Sequence, residues 1–472
     1  MIRSFPRSKH ALAAAVVATA ATLGAGGACA LPALVTNGND MGEGSLRAAL
    51  EGGATEIVIT TDQDIMTMSP LVYGGEKKLR IYGTGQTVMT MDNHTLLEIS
   101  NGADLEIIGL NFMGPGGFDI NNPASAPAGK GIFVDVRDNQ SGTVKVVLNN
   151  VTVSGVANHG VHISDCDLAD DCGSGGGGAG GGSNASIIVE FDDVTIDNVG
   201  NGKFDADGLR VDERGNGNIV FRADSSTFTN VGADGVELDE GQNGVVITSV
   251  NDSKFNDNGG YCDPVQVGDE LAAFLGSYED EGEFDGDVPE DFPGAPTAEA
   301  FTDPACIEYV FEEDGGVTEY EYAIDTDDGF DIDEAGNGSL IADIINSEVM
   351  RNLDEGIDFD EEDNGAIDAN YINVVASENS DDGFKMSEEG PAGVRSLFLG
   401  STAIDNGGKG AVWEEADAGD VNVLVIGATT SGNDDGEEDL EAVQEDQGSG
   451  TITVQDSNIA GEIVADGVDL IQ

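Results

Sequence analysis

Basic residues are scarce in this chain. Against 90 aspartates and glutamates stand only 19 lysines and arginines, giving a formal net charge of −71 over 472 residues. A surface of that sign repels nucleic acid and anionic membrane, both of which call for a basic partner, and it attracts cations. Beyond residue 30 no run of 18 apolar residues occurs, so no segment there would span a bilayer as a helix. Cysteine is nearly absent, at five residues, and no CxxC pair is present to suggest a structural zinc site. Aromatics make up 6% of the chain, with a single tryptophan.

What is abundant is glycine, 68 residues, and it recurs on a period. Gly329, Gly356, Gly383 and Gly410 fall 27 residues apart, and so do Gly208 and Gly235. Behind each glycine runs an alternation of apolar and polar residues, the pattern of a strand buried on one face. A fixed repeat of this length marks a solenoid, in which each coil packs only on its neighbours. The phase predicts Phe330, Ile357, Phe384 and Ala411 in one inward column and Ile332, Phe359, Met386 and Trp413 in the next. Trp413 is thereby read as a core plug. Outward columns follow in coil order: Phe133, His162, Arg210, Glu237, Asp331, Asp358, Lys385 and Val412, beside Asp135, Ser164, Asp212, Asp239, Asp333, Asp360, Ser387 and Glu414.

Two intervals are too long. Gly160 to Gly208 and Gly235 to Gly329 carry extra residues, at about 166–184 (Gly-rich) and about 260–322 (acidic). The phase returns after both, so 31–472 reads as a single solenoid domain with two excursions. The expected fold class is all-β, about 27 residues per coil, with Ser45–Leu50 as a short helix capping the first coil. Asn352, Asn379 and Asn406 also repeat at 27 and are expected in turns that need left-handed backbone.

Residues 1–30 read as a signal peptide: Arg3, Arg7 and Lys9 precede an apolar run that ends in Ala28-Cys29-Ala30. The expected location is secreted, extracellular or at the cell surface, or periplasmic. Four cysteines would remain, and an even number in an exported chain suggests disulfides. Local pairing, Cys166–Cys172 and Cys262–Cys306, is the simplest of three connectivities.

Glycine-punctuated coils with stacked aliphatic and asparagine columns, together with the segments NDMGEGSLRAAL and GADLEIIGLNF, resemble bacterial exported right-handed parallel β-helix proteins of the pectate-lyase-like superfamily. That superfamily includes polysaccharide lyases, polygalacturonases, esterases, adhesins and non-catalytic members, so the resemblance implies a fold and not an activity. Asp325-Thr326-Asp327-Asp328-Gly329 and His159-Gly160 match polygalacturonase motifs only in part, and no Arg-Ile-Lys segment accompanies them.

The outward columns point to cation chemistry. Stacked one coil apart, Asp331, Asp333, Asp358 and Asp360 would repel one another across about 4.8 Å. Glu334 and Glu361 are expected to edge this patch. Calcium, which takes six to eight hard oxygen ligands in flexible geometry, would relieve the repulsion. The expected function is a non-catalytic cell-surface or matrix protein that binds divalent cations, calcium above all, and extracellular polysaccharide. The alternative is a calcium-dependent lyase of uronate polymers in which Lys385 removes the C5 proton. Arg210, His162 and Glu237 form a second constellation that could bind substrate, with His159 and His162 read as turn and surface residues.

Overall fold

A computed structural model describes residues 31–137, 139–166, 182–268, 281–285, 306–314 and 317–472. The expected signal peptide, 1–30, lies outside the described residues, as does Cys172.

A short strand, Ala33–Val35, is followed by the helix Leu46–Glu51. Ser45 caps it by accepting the Ala48 amide at 3.2 Å, and Leu46 and Leu50 are buried under it, against the strand Leu71–Tyr73. Parallel strands then stack coil upon coil into an all-β parallel β-helix. Among the described residues one sheet has twelve strands, starting at Leu71–Tyr73 and ending at Glu462–Asp466. Its registers are in phase: Phe330 pairs with Ile357, Asp331 with Asp358, and Asp358 with Lys385.

The rest of each coil forms a larger sheet that bends. The long strands Ser141–Ser154 and Asn184–Asp197 turn at Asn150 (φ 51°) and Asp193 (φ 56°). Later coils split at the same corner into pairs such as Ile367–Ile372 and Val375–Ser377, hinged on Asn373 (φ 54°). A left-handed residue there folds the strand over without breaking its ladder, and asparagine and aspartate tolerate that geometry best.

The inward columns enclose one continuous apolar core. Phe330, Ile357, Phe384, Ala411, Ile332, Phe359, Met386 and Trp413 are all fully buried. Phe228, Phe255 and Phe330 stack with ring centroids 5.1 and 5.2 Å apart, each such pair contributing about 0.5–1.5 kcal/mol beyond burial.

The asparagine repeat has a different role from the one its spacing suggested. The left-handed residue is the one before it: Arg351 (φ 59°), Glu378 (φ 59°) and Asp405 (φ 57°). Asn352, Asn379 and Asn406 are buried just inside that corner and hydrogen-bond to one another along the axis. Asn352 Nδ2 donates to Asn379 Oδ1, and Asn379 Nδ2 to Asn406 Oδ1, both at 3.0 Å. Asn258 and Asn433 extend the ladder at its two ends.

Cys262 and Cys306 form a disulfide with Cα atoms 5.4 Å apart, beside a small cluster of Tyr261, Val267, Phe204 and Ile324. Next to it, Glu281–Asp285, Ile307–Asp314 and Val317–Ile324 make a three-stranded antiparallel sheet. No helix among the described residues is long and apolar enough to cross a membrane.

Candidate functional site

The outward pleat of the twelve-stranded sheet brings the predicted acids together. Asp331 lies beside Asp358 and Asp333 beside Asp360, one strand spacing apart. On the preceding coil Glu237 pairs with Asp331 and Asp239 with Asp333. Asp331, Asp333 and Asp360 remain partly exposed, whereas Asp358 and Glu237 are buried. Carboxylate oxygens of Glu237, Asp331 and Asp333 fall within 4.8 Å of one another. A second such group, Asp328, Glu355 and Asp358, adjoins it on the next coil.

Few cations answer these charges. Lys385 Nζ donates to Asp358 Oδ2 at 2.7 Å and lies 3.4 Å from Glu355 Oε1. Burial opposes its charge, but Asp358, Glu355 and Asp360 outweigh that and hold the amine well above its ordinary range. An ammonium held this firmly has no lone pair with which to take a proton. Asp358 Oδ1 and Asp360 Oδ1 are buried with no hydrogen-bond partner.

At the other end of the stripe the predicted constellation of Arg210, His162 and Glu237 does assemble, as the buried centre of a closed network. Arg210 Nε donates to Asp212 Oδ1 at 2.8 Å, one terminal nitrogen to Glu237 and the other to Asp239 Oδ2 at 2.7 Å. Arg214 also donates to Asp239. His162 Nε2 meets Asp212 Oδ2 at 2.6 Å, and its Nδ1 faces Lys130 Nζ. Nδ1 therefore accepts from the ammonium, and Nε2 carries the proton. The ring lies 5.4 Å from that of Phe133, over which Lys130 also sits. Burial, with Lys130 beside it, pushes His162 down to about 4 against the pull of Asp212.

His159 and His162 are thus buried, with ring centroids 4.6 Å apart, and are not surface residues. The loop following Asn198 folds over this part of the sheet and brings Asp207 to them. His159 Nδ1 accepts the Asp207 amide at 2.9 Å. The 3.2 Å approach of Asp207 Oδ2 to that same nitrogen is then no ion pair. Burial raises Asp207 to about 7.

Desolvation dominates at five of these acids. It lifts Asp239 to about 8 and Asp333 to about 6, and holds Glu237, Asp331 and Asp360 well above the carboxylate range. Asp212 is the exception: burial works against its charge, yet Arg210 and His162 hold it below that range. A row of buried carboxyls with raised proton affinity takes up either protons or metal cations.

A further expectation fails. Glu334 and Glu361 do not edge the outward patch. The alternation that turns Asp333 and Asp360 outward turns their neighbours inward, and both are buried inside the coil. Reading the pleat strictly by parity would have placed them there. Lys130, Asp207 and Asp212 were also missed as partners; Lys130 and Asp207 stand just before Gly131 and Gly208, in the column that holds His159.

The sequence matches no family profile and no curated relative. Among solved structures, the A-modules of mannuronan C-5 epimerases AlgE4 and AlgE6 from Azotobacter vinelandii align with it. AlgE4 does so at TM-score 0.44 and 11% identity, over 92% of this chain and 95% of that one. AlgE6 does so at TM-score 0.41 and 11% identity, over 93% and 99%. The catalytic unit of a GH87 alpha-1,3-glucanase from Streptomyces thermodiastaticus aligns at TM-score 0.35 and 10% identity, over 94% and 71%.

Proposed function

We propose that this is an exported, non-catalytic protein that binds divalent cations, calcium foremost, along the stripe from Glu237 to Asp360 and, through them, anionic polysaccharide. The observation that carries the reading is the side-by-side register of Asp331 with Asp358 and Asp333 with Asp360, together with the convergence of Glu237, Asp331 and Asp333 oxygens within 4.8 Å of one another. The donors are all carboxylate oxygens, which suit a hard cation, and their number and loose spacing suit calcium better than magnesium's strict octahedron. Two buried oxygens without partners, on Asp358 and Asp360, would gain one from the ion. For a chain of net charge −71, a uronate polymer is repelled unless a bound cation bridges the two.

Catalysis draws less support. Lys385 is tied to two carboxylates, and His162 and Arg210 have their polar atoms engaged within the protein. The test is incubation with pectate and alginate in the presence and absence of calcium. The reading expects calcium-dependent retention of the polymer and no ultraviolet-absorbing unsaturated product. Unsaturated product that disappears in Lys385→Ala would replace this reading with the lyase.

A further inference from the structure

The inward pleat of the same sheet carries a second acidic column. Glu213, Glu240, Glu334, Glu361, Glu388 and Glu415 follow one another rung by rung in register. Every one of them is at most 1% exposed. At one end Asp165 lies one position beyond the Ser164–Asp212 pair and is itself fully buried. Its two oxygens accept the Ser183 and Arg214 amides at 2.6 and 2.8 Å. At the other end Glu415 pairs with Gln444, whose Nε2 donates to Glu415 Oε2 at 2.5 Å.

The turns that follow supply backbone donors to some of these glutamates. The amides of Gly244, Gly365 and Gly419 donate to Glu240, Glu361 and Glu415 at 3.0, 2.5 and 2.7 Å, and that of Gly393 to Glu388 at 3.0 Å. A side chain on Gly365 would lie 2.2 Å from Glu361 Oε1, so the glycine is what lets the carboxyl fold back on its own turn. The remaining oxygens have no donor: both of Glu213 and of Glu334, Oε2 of Glu361 and Oε1 of Glu388. They are stacked about one strand spacing apart along the solenoid, in the dry interior.

Two occupants could satisfy facing carboxyls in such a place, a metal ion or a proton. A metal needs at least three ligand groups converging. The convergent groups among the described residues all lie outside this column, and within it each gap is flanked by two carboxyls only. A proton needs no more than those two, one as donor and one as acceptor. The titratable neighbours are Asp165 and the glutamates themselves. Arg214, next to Glu213 in the chain, sends its guanidinium to Asp239 on the outer side.

We propose that this column is a proton-holding seam: neighbouring glutamates share O–H···O protons inside the closed solenoid at neutral pH, and their removal in alkali drives the coils apart. The seam thereby makes the protein a device stabilised by acid and loosened by base, whatever occupies the outer stripe. Burial in the first place lifts Glu240 to about 8 and Glu388 to about 7. These values lie above those of the unfolded chain, so the folded state binds more protons. The stabilisation is complete below the unfolded carboxyl range and is lost as pH rises through about 7 to 8.

Infrared difference spectra of the wild-type protein, with glutamate isotopically labelled, test this directly. At neutral pH the carbonyl stretch of protonated carboxylic acid should be present in the folded protein and vanish on unfolding. In parallel, the protons released on unfolding at neutral pH should drop by about one for each of Glu240→Gln and Glu388→Gln, and by about two in the double variant. The melting temperature of the wild type should fall between about pH 5 and about pH 9, and less steeply in the double variant. Absence of the protonated carbonyl band at neutral pH overturns the proposal. So does a double variant that folds yet releases as many protons as the wild type. If the double variant does not fold, the wild-type spectrum alone decides.

Discussion

Asp333 and Glu334 are adjacent in the chain, as are Asp360 and Glu361, yet each pair is divided by the wall of the solenoid. The aspartates face out in a partly wet row, and the glutamates face into the dry core. Outside, the charge is met by Lys385 and Arg210 at the two ends. Inside, it is met by turn amides and, on our reading, by protons. Side-chain length fits the two settings: the longer glutamate reaches back to the glycine four or five residues on, as in Glu361 to Gly365. The same chemical group therefore serves opposite ends, and the pleat alone decides which.

The largest expected effect breaks the inner arrangement at its turn. In Gly365→Ala the new Cβ would stand 2.0 Å from the Gly338 carbonyl oxygen and 2.2 Å from Glu361 Oε1. Chemical denaturation should register a loss of about 3 kcal/mol or more, from overpacking and a displaced cap. Next comes the direct contrast across the wall. Glu361→Ala leaves the Gly365 amide unpaired and a cavity behind, and should cost about 2–4 kcal/mol. Asp360→Ala, in calcium-free buffer, should be neutral or stabilising by up to about 1 kcal/mol, because it thins a row of like charges. Equal losses for the two would mean that the wall does not separate two environments.

A non-titrating control sharpens the same contrast. Asn379→Ala deletes the bonds to Asn352 and Asn406 and should cost roughly 1–3 kcal/mol at every pH. The loss caused by Glu361→Ala should instead shrink as pH rises through about 8, because the wild-type residue itself becomes a liability there. Smallest is the exposed pair Arg351–Asp257, with bonds of 2.7 and 2.8 Å. Arg351→Ala should cost under about 1 kcal/mol, falling further with added salt.

How much of this could be read beforehand follows from what a period reports. A repeat of 27 fixes which side chains are neighbours, and the columns from Phe330 and Asp331 onward came through intact. It says nothing about what a neighbour does. The asparagines were legible as a column, but their ladder was not, because spacing cannot distinguish a left-handed turn residue from the buried residue after it. Glu334 and Glu361 were misplaced because acids were assumed to seek water; strict alternation contradicted that assumption. The network around Arg210 was only half visible, since Lys130 and Asp207 belong to the column just before the leading glycines, beside His159, and that column was not followed along the coils.

The measurement that bears most directly on the outer stripe is calcium binding by titration calorimetry, at about pH 7, on three proteins: wild type, the double variant Asp331→Asn with Asp333→Asn, and Glu361→Gln. The predicted result is binding by the wild type and by Glu361→Gln with the same stoichiometry, its loss in the aspartate variant, and a weaker response to magnesium in all three. Undiminished calcium binding by the aspartate variant, or magnesium binding as tight as calcium, would contradict it.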